Sequence, residues 1–588
     1  MGAFLLVNKL ESYRTNHALN LFCEMGFSAP RTVEIGNIII YVYPKMAIQN
    51  NNIYTANGYT IISVGTPIYK GMDYNNSLSY LLLDYKDQNI AYDQLSGQFT
   101  IIFCHAEKIE ILRDSLGCKH IFTDRKYHIV SSHMLPMCEC IGVNLHINKI
   151  ALYEKFLTGF IMPPNTLFSE IVQIDDSVEN QINNLGLPVS FIQPQQSKSQ
   201  GQHSSITYQK CLTDQANELC NYFEKIKEYS ENGVDIGLSG GYDSRLVLAC
   251  LHKFTKKKIH LHSHSTEDVH QEDLKIAYQM ANYIGETCYT VATKKLNHCD
   301  NIDEILRKSV LYFDGRSSYS IGGCGEVYTA SYRSKSTEKT PFTLTGVGGE
   351  LYRNVFDIGK KRISFDSFMR EKVFSPDFQK AVSDNLYREI SYSVIDKAAL
   401  RLNIDKHIRQ PKVIAHRYYC EIMMPDGQGV ALDAYNQVSC CVAPFMDPHI
   451  IYQGYESIPF HRSGGEFEGQ LIAYIDSALA AIPSSYGYPI GERTIKAKLK
   501  EGIRTYISAS LWNRIADIKN RGKKKCDNSS LMNDLYANSK TLKDAYAFMA
   551  ELFPEIHFEY LLQSSENIRR VQFVAMTLYY FRERIQNK

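Results

Sequence analysis

An excess of charge of one sign is missing from this chain: 64 lysines and arginines face 63 aspartates and glutamates over 588 residues. The balance excludes a global field of the kind that steers nucleic acid or an anionic membrane onto a protein surface. Long apolar runs are missing too. No stretch approaches the roughly 18 apolar residues that cross a bilayer. The opening MGAFLLVNKLE has no basic segment, no long apolar segment and no small-residue cleavage site. Leu6 stands where a myristoylation signal after Gly2 needs Ser or Thr. Cysteine is present but not at zinc-ligand spacing: among 15 cysteines the closest groupings are Cys138 with Cys140 and Cys440 with Cys441, without a matching second pair or histidine set. They read as small buried hydrophobes, with no structural metal and no disulfide framework. These absences imply a cytoplasmic protein with no membrane span and no nucleic-acid partner.

What is present implies a folded globular chain. Hydrophobic residues make up 44% and aromatics 12%, and the length implies two or three domains with substantial cores. No repeat recurs at periods of 20 to 50 residues. The clearest linker is QPQQSKSQGQHSS, residues 193–205, polar and without apolar periodicity. Before it, GNIIIYVY (36–43), GYTIISVG (58–65), GQFTIIFC (97–104), KIEILRD (108–114) and YHIVSSH (127–133) read as strands of a largely antiparallel, hairpin-rich α+β unit. Helices are expected near NHALNLFCEMG and INKIALYEKFLTG. After it, GVDIGLS precedes SRLVLACLHKF, KIHLHSHS precedes EDLKIAYQMANYIG, and PFTLTG follows later. Strand, crossover helix, strand is the pattern of a parallel sheet with helices on its faces. From about residue 365 onward the pattern is helical and aromatic.

The turn SGGYDS sits where the first of these strands ends and a helix begins, the place where an open parallel sheet binds ligands. Gly240 and Gly241 let backbone N–H groups approach a phosphate, Ser239 and Ser244 add hydroxyls, and the helix N-terminus adds partial positive charge. Asp243 is then the odd member, because a carboxylate beside phosphate is repulsive unless a cation lies between them; it implies magnesium. The alternative is an ordinary strand-to-helix turn capped by Ser or Asp. No G-x-x-x-x-G-K-[ST] sequence occurs.

On these residues LSGGYDS resembles the pyrophosphate-binding loop of the asparagine synthetase family, whose members adenylate a carboxylate with ATP. EDLKIA, with Glu272 and Asp273, is similar to that family's acidic pair. LTGVGGELYRN (344–354) resembles its second Gly-rich acidic loop, and APFMDPHI (443–450) its Pro-Phe-Leu-Asp segment. In the first half LSGQFTIIF, LRDSLGCKHIF and PPNTLFSEIVQI resemble the glutaminase domain and its junction. Taken singly these are weaker: Asp447 reads equally as a helix cap, and Arg113 with Asp114 as a surface turn pair.

The resemblance implies an Ntn-type amidotransferase-like domain over 1–190, a linker over 191–210, and a PP-loop ATP pyrophosphatase domain with a helical C-terminal extension over 211–588. It implies ATP and Mg2+ as cofactors, with Leu238, Ser239, Gly240, Gly241, Asp243, Ser244, Gly346 and Gly348 around the pyrophosphate and Asp243 with Glu350 on the metal. Departures narrow it. The family's glutaminase needs a cysteine exposed after removal of the initiator Met, and here Gly2 stands there while the first cysteine is Cys23. Val347 replaces an acid that assists the attack of ammonia and cannot take a proton. Cys440 and Val442 replace the Glu and Arg that commonly precede the Pro-Phe-Leu-Asp segment. Glutamine is therefore not the expected nitrogen donor, as in the β-lactam synthetases and lasso-peptide cyclases of the same family.

The late run RIADIKNRGKKK (514–525) carries Lys519, Arg521, Lys523, Lys524 and Lys525. It reads as a solvated basic loop or as the source of a catalytic lysine, with Lys523 preferred and Lys496 and Lys498 as alternatives; such a cation stabilises charge on the leaving group. Tyr418 and Tyr419, beside Arg417, are candidate substrate contacts but read as core by default, since the chain holds 40 tyrosines. The expected activity is an AMP-forming ligase that joins a small-molecule, sugar or peptide carboxylate to an amine, with lasso-type macrocyclisation first, amidation of uronic acids in surface polysaccharides second, and partner proteins of a biosynthetic cluster. A non-catalytic nucleotide-binding relative is the alternative of another class.

Overall fold

A computed structural model of the chain describes all residues except 1, 12, 49–50, 107, 143, 180–188, 193–205, 230–232, 256–257, 267–270, 294–300, 317–339, 359–362, 411, 463–464, 486–489, 491–494, 496–538 and 586–588. The strands of the first half are β1 (Ala3–Asn8), β2 (Arg31–Ile35), β3 (Ile38–Tyr43), β4 (Ile53–Ala56), β5 (Tyr59–Tyr69), β6 (Leu95–His105), β7 (Lys108–Arg113), β8 (Phe122–Asp124), β9 (Ile129–Ser131), β10 (Ile171–Gln173) and β11 (Val189–Ile192). They form one sheet ordered β10-β8-β9-β1-β3-β2 and a second ordered β11-β7-β6-β5-β4. All neighbours are antiparallel except β11, which runs parallel to β7.

Alternation along these strands sends successive side chains to opposite faces. Phe4 and Leu6 of β1 join Ile62 and Val64 of β5 and Ile102 of β6 in one apolar layer between the two sheets. Ala3, Leu5 and Val7 point the other way, onto Ala18, Leu21 and Phe22 of the helix Thr15–Glu24 and onto the helix Met134–Ile141. On the far side of the second sheet, Ile61, Phe99 and Phe103 meet Leu78, Leu81 and Leu82 of the helix Tyr74–Lys86. The order is helix, sheet, sheet, helix. Because both faces of the central strands are covered, they read as unbroken apolar runs and not as half-polar strands.

The second half has β12 (Val234–Gly237), β13 (Ile259–Thr266), β14 (Cys288–Thr293) and β15 (Phe342–Leu344), a small antiparallel ribbon of β16 (Ile363–Ser364) with β17 (Arg409–Gln410), and β18 (Cys440–Val442). The main sheet is ordered β14-β13-β12-β15-β18 and all its pairings are parallel. The chain runs outward from β12 to β13 and β14, then returns to the other side of β12 for β15. Loops leaving β12 and β15 therefore diverge over a crevice, the switch point of an open α/β sheet. The helices Asp243–Phe254 and Gln271–Ile284 follow β12 and β13. Beyond residue 364 helices dominate, among them a wide-turned π-helical segment, Tyr419–Gln428, with Pro425 inside it. Eleven of the twelve described cysteines are buried, and Cys23 is the exposed one. Among the described residues no helix is long and apolar enough to cross a membrane.

The halves share their cores. Ile61 and Phe99 lie in one cluster with Val234, Ile236 and Phe342, and Leu5 lies in another with Val571 and Phe573. A buried ion network adds a second tie. Asp433, on the helix Gly429–Val438, accepts from Lys119 Nζ at 2.8 Å, pairs with His120 Nδ1 at 2.8 Å and accepts from Arg316 at 3.0 Å. Asp114 makes this possible by accepting from the Cys118 and Lys119 N–H groups at 2.9 and 2.8 Å, which shapes the turn that presents Lys119 and His120. Arg113 and Asp114 are thus no surface turn pair: Asp114 is buried, and Arg113 pairs with Glu179 at 2.5 Å.

Burial opposes ionisation of Asp433, but Lys119 and then His120 outweigh it and hold the carboxyl well below the usual carboxylate range. Its stabilising contribution is present at neutral pH and lost only in strong acid. Removing one partner of a buried pair leaves the other charge uncompensated, so Asp433→Asn should cost about 3–5 kcal/mol. The shift of the urea midpoint at pH 7 measures it; a variant as stable as the wild type would show that the network does not tie the halves together.

Candidate functional site

The loop after β12 is held open by its own small groups. Leu238 N–H donates to the His262 carbonyl of β13 at 2.7 Å, which keeps the loop on the sheet edge. Ser239 N–H donates to Ser244 Oγ at 3.1 Å, Gly241 N–H to Ser239 Oγ at 3.3 Å, and Gly240 N–H to Asp273 Oδ1 at 2.9 Å. One amide of the cradle therefore already holds an anion, the carboxylate of Asp273. Ser485 closes the other side, its N–H on the Gly240 carbonyl at 3.1 Å. A side chain at position 240 would lie 2.5 Å from Asp273 Oδ1 and 2.8 Å from Ser485 Cβ, so glycine is required there. Three residues further on, Asp243 opens the helix Asp243–Phe254 in its first turn, where the helix dipole favours an acid.

The loop after β15 approaches this helix as closely as backbone allows. A Cβ at Gly346 would stand 2.8 Å from the Ser244 nitrogen, and one at Gly349 would stand 2.7 Å from Asp243 Cβ. Gly348 has φ of 94° and packs against Phe445 and Met446 of the APFMD segment, where a Cβ would be 3.1 and 3.2 Å away. Asp447 of that segment is buried and caps the helix Pro448–Gly454 by accepting from His449 N–H at 3.0 Å. Val347 is partly buried against the same core.

Three carboxylates and one guanidinium converge where the two loops meet. Arg353 NH2 donates to both oxygens of Asp243, at 2.6 and 2.7 Å. It lies 3.5 Å from Glu350, and Arg353 Nε lies 3.0 Å from Glu468 Oε2. Tyr419 hydroxyl donates to Glu350 Oε2 at 2.6 Å. Burial, then the charge of Glu350, pushes the Asp243 carboxyl up to about 6, against the opposing pull of Arg353. Glu468 is fully buried on the helix Glu466–Ile475; burial and then Asp243 push it well above the usual range.

The structure thus brings Leu238, Ser239, Gly240, Gly241, Asp243, Ser244, Gly346, Gly348 and Glu350 to one crevice. Lys523, its neighbours Lys519, Arg521, Lys524 and Lys525, and the alternatives Lys496 and Lys498 lie outside the described residues. Tyr418 is core, packed on Phe365 and Phe368, whereas Tyr419 is both buried and a site residue through Glu350. Arg353 and Glu468 carry no signal in the sequence. Arg353 is three residues beyond Glu350 in a short 3-10 turn, and Glu468 reaches the site only through the packing of its helix against Asp243–Phe254.

Among the described residues no group of three or more His, Cys, Asp or Glu is placed to hold a metal ion by itself. Magnesium does not need one, since it is commonly held by one or two carboxylates with water and substrate phosphates completing its shell. Asp243 and Glu350 fit that role: both are part-exposed and both already lean on one cation, Arg353.

A Cβ at Gly2 would collide with the Pro44 carbonyl and stand 2.8 Å from the Phe27 ring, so the residue at this position is packed as bare backbone. Phe22, Phe27, Tyr43 and His133 fill the space beside it with ring contacts.

No protein-family model matches this chain, and no curated protein matches it. The sheet and its crevice define a mixed α/β protein with an open parallel sheet. Solved structures similar to it include an NMN synthetase from Francisella tularensis, at 15% identity and a TM-score of 0.17, with 25% of this chain and 58% of that chain covered. Another is an NH3-dependent NAD synthetase from Campylobacter jejuni subsp. jejuni, at 16% identity and a TM-score of 0.19, covering 40% of this chain and 93% of that chain. The match spans little more than half the length of the NMN synthetase.

Two outcomes follow from the site geometry. Gly349→Ala forces a methyl into Asp243 and should destabilise by about 1–3 kcal/mol, as overpacking does; unchanged thermal unfolding would show that the loops have slack. The raised Asp243 pKa gives the native state the extra proton between pH 4 and 6. Relative to Asp243→Asn, wild-type stability should therefore fall by about 1.4 kcal/mol per pH unit across that window and level off above it. Urea midpoints at pH 4, 5, 6 and 7 test the sign.

Proposed function

We propose that the chain is an ATP-dependent, AMP-forming ligase that makes amide bonds. The observation that supports it best is the meeting, at the switch point of the sheet, of an SGGYDS loop with a second Gly-rich loop whose Glu350 faces Asp243. In this reading Leu238, Ser239, Gly240, Gly241, Ser244, Gly346 and Gly348 border the triphosphate, and Asp243 and Glu350 hold Mg2+. The metal, when bound, neutralises charge on the departing pyrophosphate. A substrate carboxylate oxygen attacks the α-phosphorus and pyrophosphate leaves; an amine then attacks the acyl carbon and AMP leaves. Lys523 is assigned to charge stabilisation during acyl transfer, and Glu350 is the second catalytic assignment.

The reading divides the chain into a degenerate glutaminase-like Ntn-type unit over 1–190, a linker over 191–210 and a synthetase unit over 211–588. In this reading the amine does not come from glutamine. The favoured substrate is a peptide carboxylate closed onto an amine in lasso-type macrocyclisation; a uronic acid of a surface polysaccharide is the second choice. A non-catalytic nucleotide-binding relative has one observation in its favour, the engagement of both Asp243 oxygens by Arg353.

The test is ATP–pyrophosphate exchange and AMP formation with magnesium and a panel of carboxylates: peptides bearing Asp or Glu, and uronic acids. Exchange with one of them is expected, with Asp243→Ala lower by about a hundredfold, the scale of losing one charge-stabilising group. Formation of ADP, or normal turnover by Asp243→Ala, would refute the ligase reading. Nucleotide binding without exchange across the whole panel would favour the non-catalytic relative.

A further inference from the structure

We infer that Arg353 is the resting counter-cation of the acid cluster, and that it releases Asp243 when a divalent cation enters, remaining anchored on Glu468. The inference rests on the reading that Asp243 and Glu350 hold the metal. Arg353 stands where a bound cation's charge would stand, with one nitrogen on both oxygens of Asp243 and within 3.5 Å of Glu350. Two cations on the same oxygens repel each other in a partly desolvated site, so each weakens the other's hold. Entry of the metal therefore favours departure of the guanidinium.

The surroundings permit that departure without loss of the side chain's footing. Arg353 Nε lies 3.0 Å from Glu468, whose own carboxylate is fully buried and fixed on a helix. The stem of Arg353 passes Gly465, where even a Cβ would stand 3.3 Å from Arg353 Cδ. Glycine at 465 spares the stem that contact. Asp243 and Glu350 are neutralised in the absence of ligand, and a free metal ion gains little by displacing Arg353. A metal arriving with a triphosphate gains the phosphate oxygens as well. Arg353 thereby couples metal binding to nucleotide binding: the cluster stays closed to bare cations and opens to the pair.

Mn2+ is the probe, with its binding followed by electron paramagnetic resonance for the wild type, Arg353→Gln, Asp243→Asn and the double variant, with and without α,β-methylene ATP. Without nucleotide, Arg353→Gln should bind Mn2+ about tenfold more tightly than the wild type, the scale of one partly screened charge contact. The double variant should lose that gain. No gain in Arg353→Gln, or a gain that survives in the double variant, would overturn the role of Arg353. If Asp243→Asn bound Mn2+ as well as the wild type in the presence of α,β-methylene ATP, the metal-site reading itself would fail, independently of Arg353. The wild-type chain provides a second measurement should a variant not fold: crystals grown with Mn2+ and α,β-methylene ATP should show the Arg353 guanidinium beyond 4 Å from Asp243 and still on Glu468. A guanidinium still seated on both Asp243 oxygens beside bound Mn2+ would reject the exchange.

Discussion

The closeness of two backbone segments governs this site. The loop after β15 touches the first residue of the helix after β12 so tightly that positions 346 and 349 have no room for a Cβ. Adjacent parallel strands place the two loops side by side, and glycine lets them meet. Their contact brings Asp243 and Glu350 together, and two acids at one point need a cation or a proton between them. Arg353 meets that requirement from within the chain, and Glu468 holds it from behind. Steric permission comes first, and the electrostatic arrangement follows from it.

The first half serves this arrangement from a distance. Its two stacked sheets bury an apolar layer of their own, and their outer faces share cores with the second half. The tie through Lys119, His120, Arg316 and Asp433 runs from the turn after β7 to the helix preceding β18, the strand that flanks β15. Ion pairs of this kind stabilise less than apolar packing of the same volume but tolerate misplacement poorly. They therefore fix register between the halves more than they add stability. Gly2 of the same half is packed as bare backbone against Pro44 and the Phe27 ring.

Much of this was legible in the sequence, for local reasons. Short apolar runs between turn residues marked β3, β5, β6, β7 and β9, and the switch from strand to helix spacing marked β12, β13 and the helices after them. SGGYDS could be read as a ligand loop because its glycines, hydroxyls and acid are contiguous, and contiguous residues share a fate whatever the fold. Asp447 showed its capping role for the same reason. The strands β1, β2, β4, β8, β10, β11, β14, β16, β17 and β18 were not singled out: five of them are two or three residues long, too short for periodicity to register.

What the sequence determined by itself, then, is the set of elements and the kind of chemistry its contiguous loops offer. Tertiary structure alone decided which distant groups complete the site. Tyr419 looked like one core aromatic among forty tyrosines, yet its hydroxyl bonds Glu350 because a π-helical turn aims it there. Arg113 and Asp114 looked like a surface pair, yet burial turned one into an ion-pair partner and the other into the shaper of a buried turn. Glu468 lies 225 positions beyond Asp243, with no local pattern to connect them, since the electrostatic coupling of two carboxylates depends on distance through space and on burial, neither of which is written in their spacing along the chain.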